Sequence, residues 1–157
     1  MNKERLLALA DRIEEAGDDL FFMPAWFAGE GWSARTDEYQ RIDKIRECGT
    51  AACFGGWAVL EFMDNDWLEF LDRVADSSEG YIKDIPLVAR YWLDLTMMEA
   101  DWLFHGGALA QVTDRTITEI MDGDYRPTAV EASKTLRMFV EGELEPDEDM
   151  YKLVYGD

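Results

Sequence analysis

Apolar residues in this chain recur mostly at the spacing of a helix rather than in the alternation of a strand. Leu6, Leu9, Ile13 and Ala16 form one stripe with Ala10 beside it, and charged residues fill most of the remaining positions. Asn2 stands where an N-cap belongs and Gly17 where a helix ends, which predicts a helix to about residue 16. Asp64-Asn65-Asp66 starts a second helix through about residue 75, with Trp67, Phe70, Leu71 and Val74 inward. Pro86 sits in the first turn of a short helix to about residue 93. Thr96-Met97-Met98-Glu99 is a capping box opening a helix to Phe104, which Gly106 and Gly107 terminate. Thr113 or Asp114 caps a helix to Met121, closed by Gly123. Pro127 and Thr128 open one to about residue 140, with Val130, Leu136, Phe139 and Val140 apolar. Residues 20–27 are a short, strongly apolar piece, either extended on the core or a helical turn entered at Pro24. Residues 29–47 are polar and read as a loop, with at most a short helix or strand near 39–45. A last short helix is expected from residue 147 onward, and no segment has the alternation of a convincing strand.

The densest pattern lies at residues 47–60. Gly49 breaks what precedes it and Thr50 is a good N-cap for an uncharged helical run over 51–60. Ala52 and Gly56 would share a face of that helix, as would Ala51 and Gly55. Each glycine in a helix costs roughly 1 kcal/mol relative to alanine, and close approach of a neighbouring helix would offset this. Cys53, Trp57 and Leu60 form the adjoining apolar stripe. The expected fold is therefore mainly α: a single-domain, irregular helical bundle around a central buried helix from Thr50 to about Met63.

This stretch also carries a resemblance. Cys48-Gly49-Thr50-Ala51-Ala52-Cys53-Phe54-Gly55-Gly56-Trp57-Ala58 resembles the Cys-Gly-Thr-x-x-Cys-x-x-Gly-(Trp/His)-Ala block of a group of small, uncharacterised phage and bacterial proteins. Phe21-Phe22-Met23-Pro24-Ala25-Trp26 is similar to the Phe-x-Met-x-x-Trp segment that precedes that block. Leu93, Leu95, Thr96, Ala100, Leu103 and Phe104 follow a later Leu-Gly-Leu-Thr-x-x-x-Ala-x-x-Leu-Phe block, with Asp94 where glycine is usual. The resemblance touches most of residues 5–140 in order; it implies a phage origin and no particular activity.

Composition narrows the partners. With 157 residues, 48% of them hydrophobic and 13% aromatic, the chain suffices for one domain over 1–157 with a real core. The acidic segment at about 141–157 is expected at its periphery. Thirty-four acids against fifteen bases give a formal net charge of −19, which disfavours direct binding to nucleic acid or anionic lipid. That leaves a solvated surface, or a mimic of nucleic-acid charge that occupies a basic groove on another protein. Acids are densest at Glu141, Glu143, Glu145, Asp147, Glu148 and Asp149. Trp26 and Trp32, in the glycine-flanked region, are the tryptophans expected at an interface. Residues 1–12 do not read as a signal peptide, and the apolar run at 51–60 is far shorter than the ~20 residues that span a bilayer. Two cysteines and no export signal point to the cytoplasm.

Candidate chemistry is sparse. Cys53, placed in a first helical turn, reads either as an activated thiol or as a small buried hydrophobe. His105, the only histidine, is the one base available to such a thiol, and it also suits a helix C-cap. Cys48, Cys53 and His105 fall short of a zinc set, and the Asp64-Asn65-Asp66 and Asp122-Gly123-Asp124 fragments do not continue into calcium loops. No phosphate loop or dinucleotide fingerprint is present, so no cofactor or metal is expected. The expectation is an acidic cytoplasmic accessory protein that binds a protein partner with a basic surface. Its rivals are a small cysteine-dependent enzyme using Cys53 with His105, and a pocket under residues 21–26 that sequesters a small metabolite.

Overall fold

The computed structural model describes residues 1–25, 27–28, 40–41, 51–65, 75–76, 81–82, 85–144 and 146, with the strands at 27–28, 40–41, 75–76 and 81–82 described in backbone alone. The architecture is mainly α. In order, the elements are α1 (Lys3–Ala16), a 3-10 turn (Asp18–Leu20), β1 (Phe27–Ala28), β2 (Gln40–Arg41), β3 (Ala51–Ala52), α2 (Phe54–Asn65), β4 (Ala75–Asp76), β5 (Tyr81–Ile82), α3 (Ile85–Leu93), α4 (Met97–Phe104), α5 (Gly107–Thr113), α6 (Ile117–Met121) and α7 (Ala129–Val140).

Local chemistry explains the boundaries. The Asn2 side chain accepts the Arg5 amide at 3.0 Å and so caps α1. Gly17 leaves the helix at φ 88° while its N–H still bonds the Ile13 carbonyl. Capping boxes built on Thr96 and Glu99, Thr116 and Glu119, and Thr128 and Glu131 open α4, α6 and α7. α1 lies chiefly along α7, and α2 against α3. Leu6, Leu9, Ala10 and Ile13 meet Ala132, Leu136 and Phe139 in one continuous core that also takes in Phe21, Phe54, Phe62 and Phe104. At the rim of the α1–α7 pair Ser133 Oγ donates to Glu14 at 2.8 Å, and Arg137 pairs with Asp11.

The structure corrects several expectations. Ala51 and Ala52 are not the first turn of a helix: they form β3, antiparallel to β1 with Phe27 opposite Ala52 and Ala28 opposite Ala51. Phe21 bridges Ala52 on the other side, and the Phe22 amide donates to the Ala52 carbonyl at 3.0 Å. Alanine favours helix by itself, but here two neighbouring segments claim its backbone bonds, and its small side chain allows both to lie close. The helix begins at Phe54, and the Cys53 carbonyl accepts the Trp57 amide, which makes Cys53 the cap residue instead of a first-turn residue. Ala52 and Gly56 therefore share no helical face. Asp64 and Asn65 end α2 rather than opening a new helix, and Ala75–Asp76 is a strand. β4 and β2 flank β5, both antiparallel to it, so small sheets exist where no alternation foretold them; strands of two residues are too short to show any. Of the apolar piece at 20–27, Leu20 ends the 3-10 turn, Phe21 is extended and Met23 and Pro24 make a turn, with Phe21, Met23 and Ala25 buried.

Gly106 and Gly107 do not simply terminate α4. His105 is its C-cap, Gly106 turns the chain at φ 87°, and Gly107 begins α5. A Cβ at Gly107 would fall 2.2 Å from Cδ1 of Trp102, so only glycine lets the indole lie over that turn. Thr113 ends α5, and Thr116 rather than Thr113 or Asp114 caps α6. The helix proposed from residue 147 lies outside the described residues, as does most of the one expected from Asp64-Asn65-Asp66 through about residue 75.

Candidate functional site

The cysteine segment is built into the core. Cys53 has 0% of its surface exposed and is a free thiol. Phe54, next in sequence, packs its ring tilted against that of Phe21 with centroids 5.0 Å apart, and Trp57 Nε1 donates to the Leu20 carbonyl at 3.1 Å. Gly55 and Gly56 are buried on α2. Segment 20–25 thus closes over the start of α2 through one tilted aromatic contact, one indole hydrogen bond and the Phe21 bridge to Ala52. A thiol so enclosed presents no face to a substrate in this conformation. His105 stands at the C-cap of α4, half-buried, with its Nδ1 3.0 Å from the Asp101 carbonyl of its own helix. Cys48, Gly49 and Thr50 lie outside the described residues.

Of the proposed partner-binding residues, Trp26, Trp32, Glu145, Asp147, Glu148 and Asp149 also lie outside the described residues. Glu141 and Glu143 are both exposed. A hydrogen bond with Glu141, reinforced by that neighbour's charge, raises the Glu143 carboxyl above its ordinary value. Leu144 is buried against the core, and the Glu143 amide donates to the Met138 carbonyl, so the chain just beyond α7 is held to the body.

Six arginines have described side chains, and each of these meets an acceptor of the chain. Arg12 pairs with Glu61 at 2.8 Å and Asp64 at 3.5 Å, Arg115 with Glu119, and Arg137 with Asp11 and Glu14. Arg5 donates to the Trp92 carbonyl at 2.8 Å with its guanidinium 3.5 Å over the Trp92 ring. Arg90 donates to the Leu95 carbonyl, and Arg126 to those of Phe21 and Asp19. Each of the arginines at 5, 12, 90, 115, 126 and 137 is therefore held by an acceptor of the chain itself, and three of them neutralise no carboxylate in doing so.

Two features escaped the sequence. One is a cleft of about 360 Å³ lined by Asn2, Glu4, Arg5, Ala8, Glu61, Asn65 and Trp92. Burial pushes the Glu61 carboxyl above 4.5; Arg12 pulls it back and Asp64 adds to the rise. Its position directly after the uncharged run 51–60 was the signal available. The other is an open apolar strip where α3 meets α4. Leu87 is 58% exposed, Tyr91 42%, Met97 66% and Met98 49%. Leu87 and Tyr91 stand one helical turn apart, and the Met97-Met98 doublet opens the next helix; both spacings were visible, but solvent exposure was not.

Compared with known proteins, the chain matches no family model, no curated protein and no solved structure. Among the described residues no helix is long and apolar enough to cross a membrane, and no group of histidine, cysteine and carboxylate side chains is gathered as a metal site would need.

Proposed function

We propose that this chain is an acidic accessory protein that binds a protein with a basic surface. The observation that carries this reading is the excess of acids over bases, a formal net charge of −19. The chain holds 34 acids and 15 bases, so carboxylate dominates the charge a partner meets. Such a surface attracts basic proteins and repels nucleic acid. Presenting the charge of nucleic acid to a basic groove is one way of using it. The resemblance to small phage and bacterial proteins supports a phage-encoded protein working in the host cytoplasm on a host or viral target. Enclosure of Cys53 speaks against the cysteine-dependent alternative.

The test is capture of a partner from host lysate, followed by affinity measurements on the purified pair. Affinity should fall as salt rises from 0.05 to 0.2 M, since exposed charges are screened beyond ~10 Å at 0.1 M. Replacing Glu141, Glu143, Glu145, Asp147, Glu148 and Asp149 by Gln or Asn should leave the fold intact and slow association. A partner with an acidic surface, or one bound equally at both salt concentrations, contradicts the reading.

A further inference from the structure

The chain has two asparagines, Asn2 and Asn65, and both line one cleft. It is the space of about 360 Å³ between the start of α1, the end of α2 and Trp92 of α3. Its two helix ends carry opposite charge. On the α1 side the Arg5 guanidinium lies 3.5 Å over the Trp92 ring and donates to the Trp92 carbonyl. Among the described residues no carboxylate pairs with it. On the α2 side Glu61 and Asp64 share one guanidinium, that of Arg12, at 2.8 and 3.5 Å, which leaves one negative charge in excess. No base stands in the last turn of α2. Glu61 is the member of that trio that lines the cleft, and its side chain is 13% exposed.

The amides repeat the division. Asn2 Oδ1 accepts the Arg5 amide, which leaves the Asn2 NH2 as a donor on the Arg5 side. Asn65 Nδ2 donates to the Glu61 carbonyl, which leaves Asn65 Oδ1 as an acceptor on the Glu61 side. We propose that this cleft binds a free amino acid, its carboxylate on Arg5 and the Asn2 NH2, its ammonium on Glu61 and Asn65 Oδ1. A wall of cation and donor opposite a wall of anion and acceptor matches a zwitterion. An amine alone would leave the Arg5 charge unanswered, and a carboxylate alone would leave that of Glu61 so. Burial disfavours the Glu61 charge, and an ammonium beside it would offset that cost. The helix dipoles act in the same sense, positive at the start of α1 and negative at the end of α2. The volume lies near the lower end of small-molecule sites. Glu4, exposed on the first turn of α1, is the remaining charge of the lining and disfavours a ligand with an acidic side chain. This site goes beyond the protein-binding reading and does not depend on it.

The probe is L-leucine, added to protein labelled with 15N at asparagine, whose side-chain NH2 signals come from Asn2 and Asn65 alone. L-leucine should shift both pairs of signals. N-acetyl-leucine, which lacks the ammonium, leucinamide, which lacks the carboxylate, and L-glutamate should each bind at least about tenfold more weakly, the scale of a lost hydrogen bond to a charged group. Glu61→Gln and Arg5→Gln should each weaken L-leucine by a similar factor. Lys3→Gln, exposed on the same turn but outside the lining, should leave its affinity unchanged. Circular dichroism checks that each variant is folded, and the comparison of blocked ligands needs no variant. Equal binding of leucinamide or N-acetyl-leucine overturns the zwitterion, as does a shift confined to one asparagine. No shift from L-leucine, glycine or L-lysine at millimolar concentration overturns the site.

Discussion

Segment 51–59 and the strip at 87–98 are both rich in apolar residues, yet one is sealed and the other open. In the first, every residue is buried, because β1 and segment 20–25 are laid over it by backbone bonds, a tilted aromatic contact and the Trp57 hydrogen bond. In the second, α3 and α4 bury one side each, Val88, Ala89, Trp92 and Leu93 on α3 and Ala100, Leu103 and Phe104 on α4. Leu87, Tyr91, Met97 and Met98 remain outside. The difference teaches that apolar content marks a segment for contact, while the elements that fold over it decide whether that contact is internal. Motif density marked the cysteine segment as a central packed helix, with an activated thiol as the alternative; exposure is what sets the strip apart.

The sharpest way to break this contrast is truncation on each side of it. Phe54→Ala should destabilise the fold by about 3–5 kcal/mol, as deletion of an enclosed aromatic usually does. Met97→Ala should stay within about 0.5 kcal/mol of the parent, as expected of an exposed side chain. Denaturant unfolding of both variants measures the gap, and similar losses would mean that the strip is structural after all.

Gly107→Ala comes next. With Trp102 Cδ1 2.2 Å from the added Cβ and the indole enclosed, the ring must move, and overpacking of this kind typically costs 1–3 kcal/mol. Trp102 Nε1 is buried with no hydrogen-bond partner among the described residues, so Trp102→Phe, which removes that donor, should lose much less than truncation to alanine. A thermal melt of Gly107→Ala unchanged from the parent would show that the turn gives way easily.

The sealed state of Cys53 has its own readout. In a Cys48→Ser background the thiol should react with a disulfide reagent only as fast as the protein opens, and urea should accelerate it. Rapid labelling of the native protein near neutral pH would revive the cysteine-dependent alternative.

The smallest effect concerns pH. Glu61 titrates above 4.5 in the folded chain because burial disfavours its charge. The native state then binds the extra proton, so the stability this group contributes is present below 4.5 and is lost as pH rises through its raised value. Melting temperatures of the parent should therefore fall relative to Glu61→Gln as pH climbs through that window. Glu119 runs the other way. Hydrogen bonds from Thr116 hold it below its ordinary value, so its contribution is lost as pH falls. Opposite slopes from Glu61→Gln and Glu119→Gln test both signs.

Helix ends were the most legible part of the molecule. Asn2, Gly17, Thr96 and Thr128 act locally, through bonds to amides within one turn or through a backbone angle that glycine tolerates, so sequence suffices to find them. The reading failed where local preference met a distant competitor. Ala51 and Ala52 favour helix until Phe27 and Phe21 take their backbone bonds. Gly107 reads as a terminator until the Trp102 ring is known to lie on it. The Glu61 cleft and the open strip were illegible for the same reason, since α1, α2 and α3 must first be packed before Arg5, Glu61 and Trp92 line one space.

By itself, then, the sequence determined the class of fold, the acid excess and the caps that set most helix limits, because composition and one-turn hydrogen bonds depend on neighbours in the chain. Only the tertiary structure decided that Cys53 would be enclosed and Met97 exposed. Both are apolar side chains at the start of a helix, and nothing in their local patterns separates them. What separates them is whether another part of the chain, far away in sequence, is drawn over that helix end to remove it from water.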